Sequence, residues 1–437
     1  MDHSHIDIQV EPSEKGREAY ALIGELYPLC RSITGKGIRQ TLETLKQYIP
    51  LQMHEVPSGT QVFDWTVPRE WNIRDAYVKN SRGEKIIDFR ESNLHVLNYS
   101  IPVHQVLPLE DLKRHLFTLP EYPDWIPYKT SYYRENWGFC MRYRDYLGME
   151  DGEYEVFIDS SLENGSLTYG EFYLRGDEES EILISCHACH PSLCNDNLSG
   201  VALATLLAKQ INLVPCRYSY RFLFIPGTIG AITWLARNED KISKIKHGLV
   251  LTGLGDPGKL TYKKSRRGDA EIDRAASHVL RHAGQTNNVI DFDPYGYDER
   301  QYCSPGFNLP VGRLSRTPYG QYPEYHTSAD DLDFVRPEYL ADSFSKLAEM
   351  LTLLENNRTY LNMNPKGEPQ LGKRGLYASA GLDERALLWV LNYSDGSHDL
   401  LDIAGRSGLD FPTLEKAAES LLEHQLIREH SSVPLET

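Results

Sequence analysis

Two hydrophobic periods alternate along the chain and divide it. Near the N-terminus Tyr20, Ile23, Leu26 and Tyr27, then Ile38, Leu42, Leu45 and Ile49, recur at helical spacing, with SITGKG breaking the run between them. From His54 to Val106 the pattern shortens to the β-rich segments VFDWTV, DAYVKN, KIIDFR and HVLNYS, separated by turn signals such as SRGEK. An aromatic-rich connection follows, YPDWIPYKTSYYRENWGFCMRYRDY, which either packs between domains or walls a substrate cleft. Residues 54–149 are therefore expected to form a small β-domain inserted into a larger, discontinuous one made of 1–53 and 150–365.

From Tyr154 the order becomes the strands EVFIDS, GEFYLR and EILISCH, the helix LSGVALATLLAKQI, the strand YRFLFIP, the helix ITWLARNEDKI, the strand HGLVLTG and the helix EIDRAASHVLRHAG. Apolar strands alternating with amphipathic helices predict an α/β fold, a doubly wound and mostly parallel sheet covered on both faces. In such sheets ligands bind beyond the carboxyl ends of the strands. The helix PEYLADSFSKLAEMLTLLENN closes this domain, and PKGEPQLGKRG reads as a linker. Beyond it, Leu387, Leu388 and Leu391, then Leu400, Leu401 and Ile403, then Leu414, Ala418, Leu421 and Leu422 mark three short helices. With LIRE after them they predict a winged-helix-like domain over 370–437.

Charge decides what that unit does not do. Its candidate recognition helix, PTLEKAAESLLEH, sets Glu415, Glu419 and Glu423 against Lys416 alone, and residues 376–437 hold eleven acidic and four basic side chains. Base readers are missing and phosphates would be repelled, so an interaction or lid role is expected rather than nucleic-acid binding. The whole chain carries −16, which disfavours anionic membranes as well. At 437 residues two or three domains are expected, and 41% hydrophobic content supports an ordinary core. MDHSHIDIQVEPSEKG has neither the basic nor the apolar region of a secretory signal, and no run of ~20 apolar residues appears. Seven cysteines, an odd number, fit reduced thiols, so a cytoplasmic protein is expected.

The densest chemistry is SCHACHPSLCNDNLSG at 185–200, where His187, His190 and Asp196 follow the apolar run EILIS. Imidazole and carboxylate are zinc ligands, and a catalytic zinc usually keeps three protein ligands and one open position. His326 in PEYHTSADDLDFV, after the strand-like LPVGRLS, is the best remote partner. Competing readings are satisfied structural histidines, a redox dithiol of Cys186 and Cys189, and a structural cysteine-rich zinc site, although no second C-x-x-C exists for the last.

Strand, His187, loop, NDNLSG and helix together resemble the di-zinc aminopeptidase family, in which a strand-end His and a D-N-x-S-G Asp ligate metal; the segment around His326 resembles its closing H-T-x-x-D element. LYPLCRSITG, EVPSGTQVFDWTVP, CHPSLCNDNLSG and GYDERQYCSPG are similar to a narrower bacterial group of aminopeptidase-like proteins associated with polysaccharide biosynthesis, which add an inserted β-domain and a C-terminal winged helix. The resemblance implies a zinc-peptidase-type sheet and a zinc-dependent hydrolase of an amide or peptide bond. The alternatives are a deacylase or amidase on a sugar or carboxylated substrate, and a retired peptidase fold that binds a partner.

The chain departs from the aminopeptidase pattern at two points. Where that family places a Glu-Glu pair, RFLFIPGTIGA offers Gly227 and Thr228, and where it places a later Asp, HGLVLTGLGD offers Thr252 and only then Asp256. One zinc per chain on His187, Asp196 and His326 is what remains, a competent hydrolytic set. Glu299, in DERQYCSPG, is the first choice for general base, by resemblance to pancreatic zinc carboxypeptidases whose Glu base comes from a late strand; Glu324 is the second. His190 is a hydrogen-bond donor behind the ligands, a ligand in place of His187, or a substrate contact. Arg266 and Arg267 in KKSRR, with Arg300 and Arg316, are candidates for a substrate carboxylate or phosphate. The expected partner is a small molecule or short peptide, with homo-oligomerisation left open.

Overall fold

The computed structural model describes residue 8 and residues 11–378 and 381–430; the polar N-terminal stretch through residue 7 and the last seven residues of the C-terminal unit lie outside the described residues. The chain divides into two compact units, one of Gln9–Ala270 and Asn288–Ser345, the other of Met1–Ile8, Glu271–Asn287 and Lys346–Thr437.

The larger unit is built on an eight-stranded sheet. Its spatial order is Gln52–Pro57, Ser166–Leu174, Ser219–Ile225, Glu181–His187, Ile245–Leu251, Val311–Ser315, Thr261–Lys263 and Asn288–Ile290. The four central strands, Ser219–Ile225 to Val311–Ser315, are parallel, as their unbroken apolar runs predict. The margins are not. Gln52–Pro57 and Ser166–Leu174 add antiparallel on one side, and Thr261–Lys263 pairs antiparallel with Val311–Ser315 on the other, so the sheet is mixed. Every residue of Glu181–His187 and Ser219–Ile225 is buried. Leu183, Leu223, Ile225 and Val250 form one core with Ile229, Ile232 and Trp234 of the helix Ile229–Arg237. Side chains alternate between faces, so His187 shares the face of Leu183 and Ser185.

A second, four-stranded antiparallel sheet runs Lys85–Asp88, Glu70–Lys79, Glu153–Glu163, Val103–Pro108. The strand Glu153–Glu163 was expected in the α/β sheet but completes this one. Its alternate residues Tyr154, Val156 and Ile158 bury against Ala76, Val78 and Phe139, so the inserted layer extends to Glu163 rather than stopping at 149. Alternation fits either sheet, and only the pairing partner decides. Pro127 bridges to Thr327, and the Ile126 amide donates to Ser328 Oγ at 2.9 Å, so the aromatic connection braces the loop that carries His326.

In the other unit the helices Glu384–Tyr393, Leu400–Ser407 and Phe411–Glu423 accompany a three-stranded sheet ordered Asp395–Asp399, Thr359–Asn362, Ile427–Glu429. Asp383, Asp399 and Asp410 cap the helices, and Asp399 with Asp402 closes a capping box. The helix Glu271–His282, expected in the α/β domain, groups here: Arg274 pairs with Asp399 and Asp402 at 2.9 and 2.6 Å, and the Phe411 amide donates to His278 Nε2 at 3.0 Å. Among the described residues no helix is long and apolar enough to cross a membrane.

Candidate metal centre

His187 ends its strand, and the chain returns through Cys194–Ser199 into the helix Gly200–Ile211. The polar residues of NDNLSG each fix that return. Asn195 and Asp196 donate their amides to the two oxygens of Asp330 at 2.6 and 2.9 Å, and Ser199 Oγ donates to Asn195 O while accepting from the Leu254 amide. Asn197 Nδ2 donates to the carbonyls of His187 and Leu251 at 3.1 and 2.9 Å, tying the loop to two strand ends. A Cβ at Gly200 would fall 2.6 Å from Leu251 O, so only glycine lets the helix start this close to the sheet.

The Asp196 carboxylate sits among three imidazoles. His187 Nε2 lies 2.9 Å from Oδ1, while His326 Nε2 and His190 Nε2 lie 3.1 and 3.9 Å from Oδ2. Ligand atoms of His187, His190 and Asp196 all fall within 4.8 Å of one another. Although 3.1 Å apart, Asp196 Oδ2 and His326 Nε2 are both buried without a hydrogen-bond partner. Two lone-pair donors that converge without bonding to each other fit a shared cation, and a set of imidazoles with one carboxylate suits zinc.

Tyrosines hold the rings. Tyr297 stacks on His187 with centroids 5.1 Å apart, Tyr325 stacks on His326 at 3.9 Å, and Tyr128 meets His190 and His326 edge-on at 5.2 and 5.1 Å. His326 has φ 56°, a left-handed conformation costly outside glycine, held by the Tyr128 amide bonding to its carbonyl at 2.8 Å. Arg31 Nε donates to His190 O at 2.8 Å from behind.

Burial pulls the His190 imidazole down to about 3, leaving it neutral and able to ligate. Burial also works against a charged His187, but the Asp196 hydrogen bond outweighs it and raises that imidazole above its ordinary value. For Asp196, burial is outweighed by the surrounding imidazoles of His190, His187 and His326, which hold the carboxyl well below the usual range.

Next to His187 stands a second carboxylate. Asp298 is fully buried, and neither of its oxygens has a hydrogen-bond partner among the described residues. Burial pushes it up to about 7, with His187 pulling back and Glu299 pushing further. Gly227 makes its place: a Cβ there would meet His187 Cβ at 3.0 Å and Asp298 Oδ2 at 3.5 Å. The position at which the aminopeptidase pattern has an acid thus carries no side chain here, and a carboxylate reaches that space from residue 298.

Residues 20–357 match a family described as a domain of unknown function, DUF4910. The chain belongs to this family. Residues 358–429 of the same chain match a winged helix-turn-helix family. A Clostridium acetobutylicum protein, named as a candidate polysaccharide biosynthesis protein with an aminopeptidase-like domain, is 56% identical over 422 residues, spanning 95% of this chain and 97% of its own. A crystal structure of a candidate peptidase from Clostridium acetobutylicum, 56% identical, superposes with TM-score 0.93 over 96% of this chain and 97% of that one. A zinc aminopeptidase from Bacillus subtilis, at 10% identity, shares the fold with TM-score 0.56 over 77% of this chain and 94% of its own.

In this DUF4910 domain the predicted residues divide sharply. His187, Asp196 and His326 converge, and His190 joins them instead of standing behind or apart. Glu299 does not face the imidazoles as a free base: its Oε1 lies 2.6 Å from Lys263 Nζ and 3.7 Å from Arg313 Nη1, all three side chains being buried. Glu324 is half-buried, and its carboxylate makes no hydrogen bond or ion pair among the described residues. Arg266 and Arg267 are exposed and bond to Asn308, and Arg316 bonds to Gly258 O, Asp342 and Ser343. Arg300 keeps a buried Nε without a hydrogen-bond partner. Asp256 is spent on Asn195 and Thr317. Burial pushes the Cys186 thiol well above its usual value and Cys189 to about 12, which disfavours the thiolates that redox chemistry needs.

Proposed function

We propose that this DUF4910 protein is a zinc-dependent hydrolase that cleaves an amide or peptide bond in a small substrate. The observation that carries the reading is the Asp196 carboxylate flanked by His187, His190 and His326, with Oδ2 and His326 Nε2 converging unbonded. Asp196, His187 and one of the other two imidazoles would hold the ion, leaving one position open for water. A Zn²⁺ ion bound there supplies Lewis acidity, polarising a carbonyl and making water acidic enough to lose a proton near neutral pH.

The chain's own groups do the rest. Asp298, with both oxygens free of hydrogen bonds and a place beside His187, accepts the proton from attacking water and returns it to the leaving nitrogen. It takes the role first expected of Glu299, whose carboxylate is committed to Lys263. Tyr297, Tyr325 and Tyr128 fix the imidazole planes and keep bulk water from the site's floor. Asn195 and Asn197 anchor the backbone on which Asp196 is presented. The name of the Clostridium relative supports a place in polysaccharide biosynthesis, the seven unpaired cysteines support a cytoplasmic protein, and the net charge of −16 supports one that does not bind nucleic acid.

The test is a panel of aminoacyl and N-acyl amides offered to the full chain. Turnover abolished by a chelator and restored by zinc supports the proposal. No turnover of any amide by zinc-replete protein overturns it.

A further inference from the structure

The antiparallel register of Thr261–Lys263 with Val311–Ser315 sets Lys263 directly opposite Arg313. Like charges opposed on neighbouring strands repel, and both residues are almost wholly buried, at 1% and 2% exposure. Glu299 lies between them but serves them unequally. Lys263 Nζ has it at 2.6 Å and spends its remaining donors on Asp293 O and Tyr295 O at 2.8 and 3.1 Å. Arg313 Nη1 is 3.7 Å from the same oxygen, too far for a hydrogen bond. No hydrogen bond to the Arg313 guanidinium exists among the described residues, and its Nε is buried without a partner. An N–H donor left unmet in a buried place is costly.

The location ties this cation to the metal centre. Its guanidinium lies over the rings of Tyr297 and Tyr319 at 5.8 and 5.6 Å, and Tyr297 is the ring stacked on His187. The nearby Asp293 is exposed, and its Oδ1 is taken by the Tyr295 amide. Lys263 and Arg313 against Glu299 leave one positive charge uncompensated. A carboxylate would balance it and match the guanidinium fork, whereas a phosphate, nearer to two negative charges, would repel Glu299.

We infer that Arg313 is a substrate-binding residue, and that the amide cleaved at the metal centre belongs to a small molecule bearing a free carboxylate that docks on its guanidinium behind Tyr297. This rests on the hydrolase reading for what happens to the substrate, but not for the binding itself.

The test compares N-acetylalanine with N-acetylalaninamide by isothermal titration on the full chain, as purified and after chelator treatment, so that a carboxylate seated on metal is separated from one seated on Arg313. The acid should bind and the amide should bind at least about tenfold more weakly in both forms, as expected when a charged hydrogen-bond pair is lost. Arg313→Gln should erase that preference, and Arg313→Lys, which keeps charge but loses the fork, should recover part of it. Should Arg313→Gln fail to fold, the wild-type pair and Arg313→Lys still decide. Equal binding of acid and amide by chelated wild type, an acid preference that survives Arg313→Gln, or inorganic phosphate binding more tightly than the acid overturns the inference. If the preference holds but no amide is hydrolysed, the hydrolase reading falls and the carboxylate site stands.

Discussion

Replacing Asp330 by Asn should loosen the metal centre without touching any proposed ligand. In the wild type the two Asp330 oxygens accept the amides of Asn195 and Asp196 at 2.6 and 2.9 Å, and no water-exposed alternative exists because all three residues are buried. An asparagine offers one acceptor oxygen and turns an NH₂ toward the other amide, leaving a buried donor unmet at a cost of about 1–3 kcal/mol. Unfolding of the whole chain averages over both compact units, so a local readout is sharper. Hydrogen exchange read at the Cys194–Ser199 segment is local, and that cost should speed it by roughly 5–150-fold while the strand Glu181–His187 keeps its protection. Zinc affinity should fall by about 10–100-fold, the usual effect of losing a group that orients a ligand. Unchanged exchange at 194–199 with unchanged zinc affinity would refute the argument that Asp330 holds Asp196 in place.

The two neighbouring acids should separate by kind of damage. Asp298→Asn should keep zinc and fold yet lose activity by about 10²–10⁴ in steady-state assays, whereas Glu299→Gln, which strands the buried Lys263 and Arg313, should show first as lowered thermal stability; the opposite pattern would return the base to Glu299. The unit containing His278 should weaken as pH falls. Burial pulls that imidazole down from 6.5 to about 4, and it accepts the Phe411 amide only when neutral. The unfolded chain therefore binds the proton first, so stability is full above pH 6.5 and declines towards pH 4, a slope that His278→Gln should flatten in circular-dichroism melts.

What could be read from the chain was what local pattern encodes. EILISCH has the apolar centre Ile182–Ile184 and ends in His187, so a histidine at a central strand terminus follows from sequence alone, and the three short C-terminal helices follow from leucine spacing. The choice between Asp298 and Glu299 did not follow. The two are adjacent, and only the folded strand order brings Lys263 onto one and Gly227 beside the other. Arg313 was hidden in LPVGRLS, an ordinary buried strand, because its opposition to Lys263 depends on an antiparallel pairing within a sheet whose other signals are parallel. His190 stood in plain view in CHACHPS, yet spacing could not say whether a residue three positions past a strand end turns back toward it. The strand Glu153–Glu163 and the helix Glu271–His282 were assigned by chain order, whereas the folded chain assigns them by partner.

Elemental analysis of the purified full chain tests the central claim most directly. The account predicts about one zinc per chain in the wild type, lost in His187→Ala and in Asp196→Asn but kept in Glu299→Gln. Wild-type protein that takes up no zinc when it is supplied, or His187→Ala protein with undiminished metal, would contradict it.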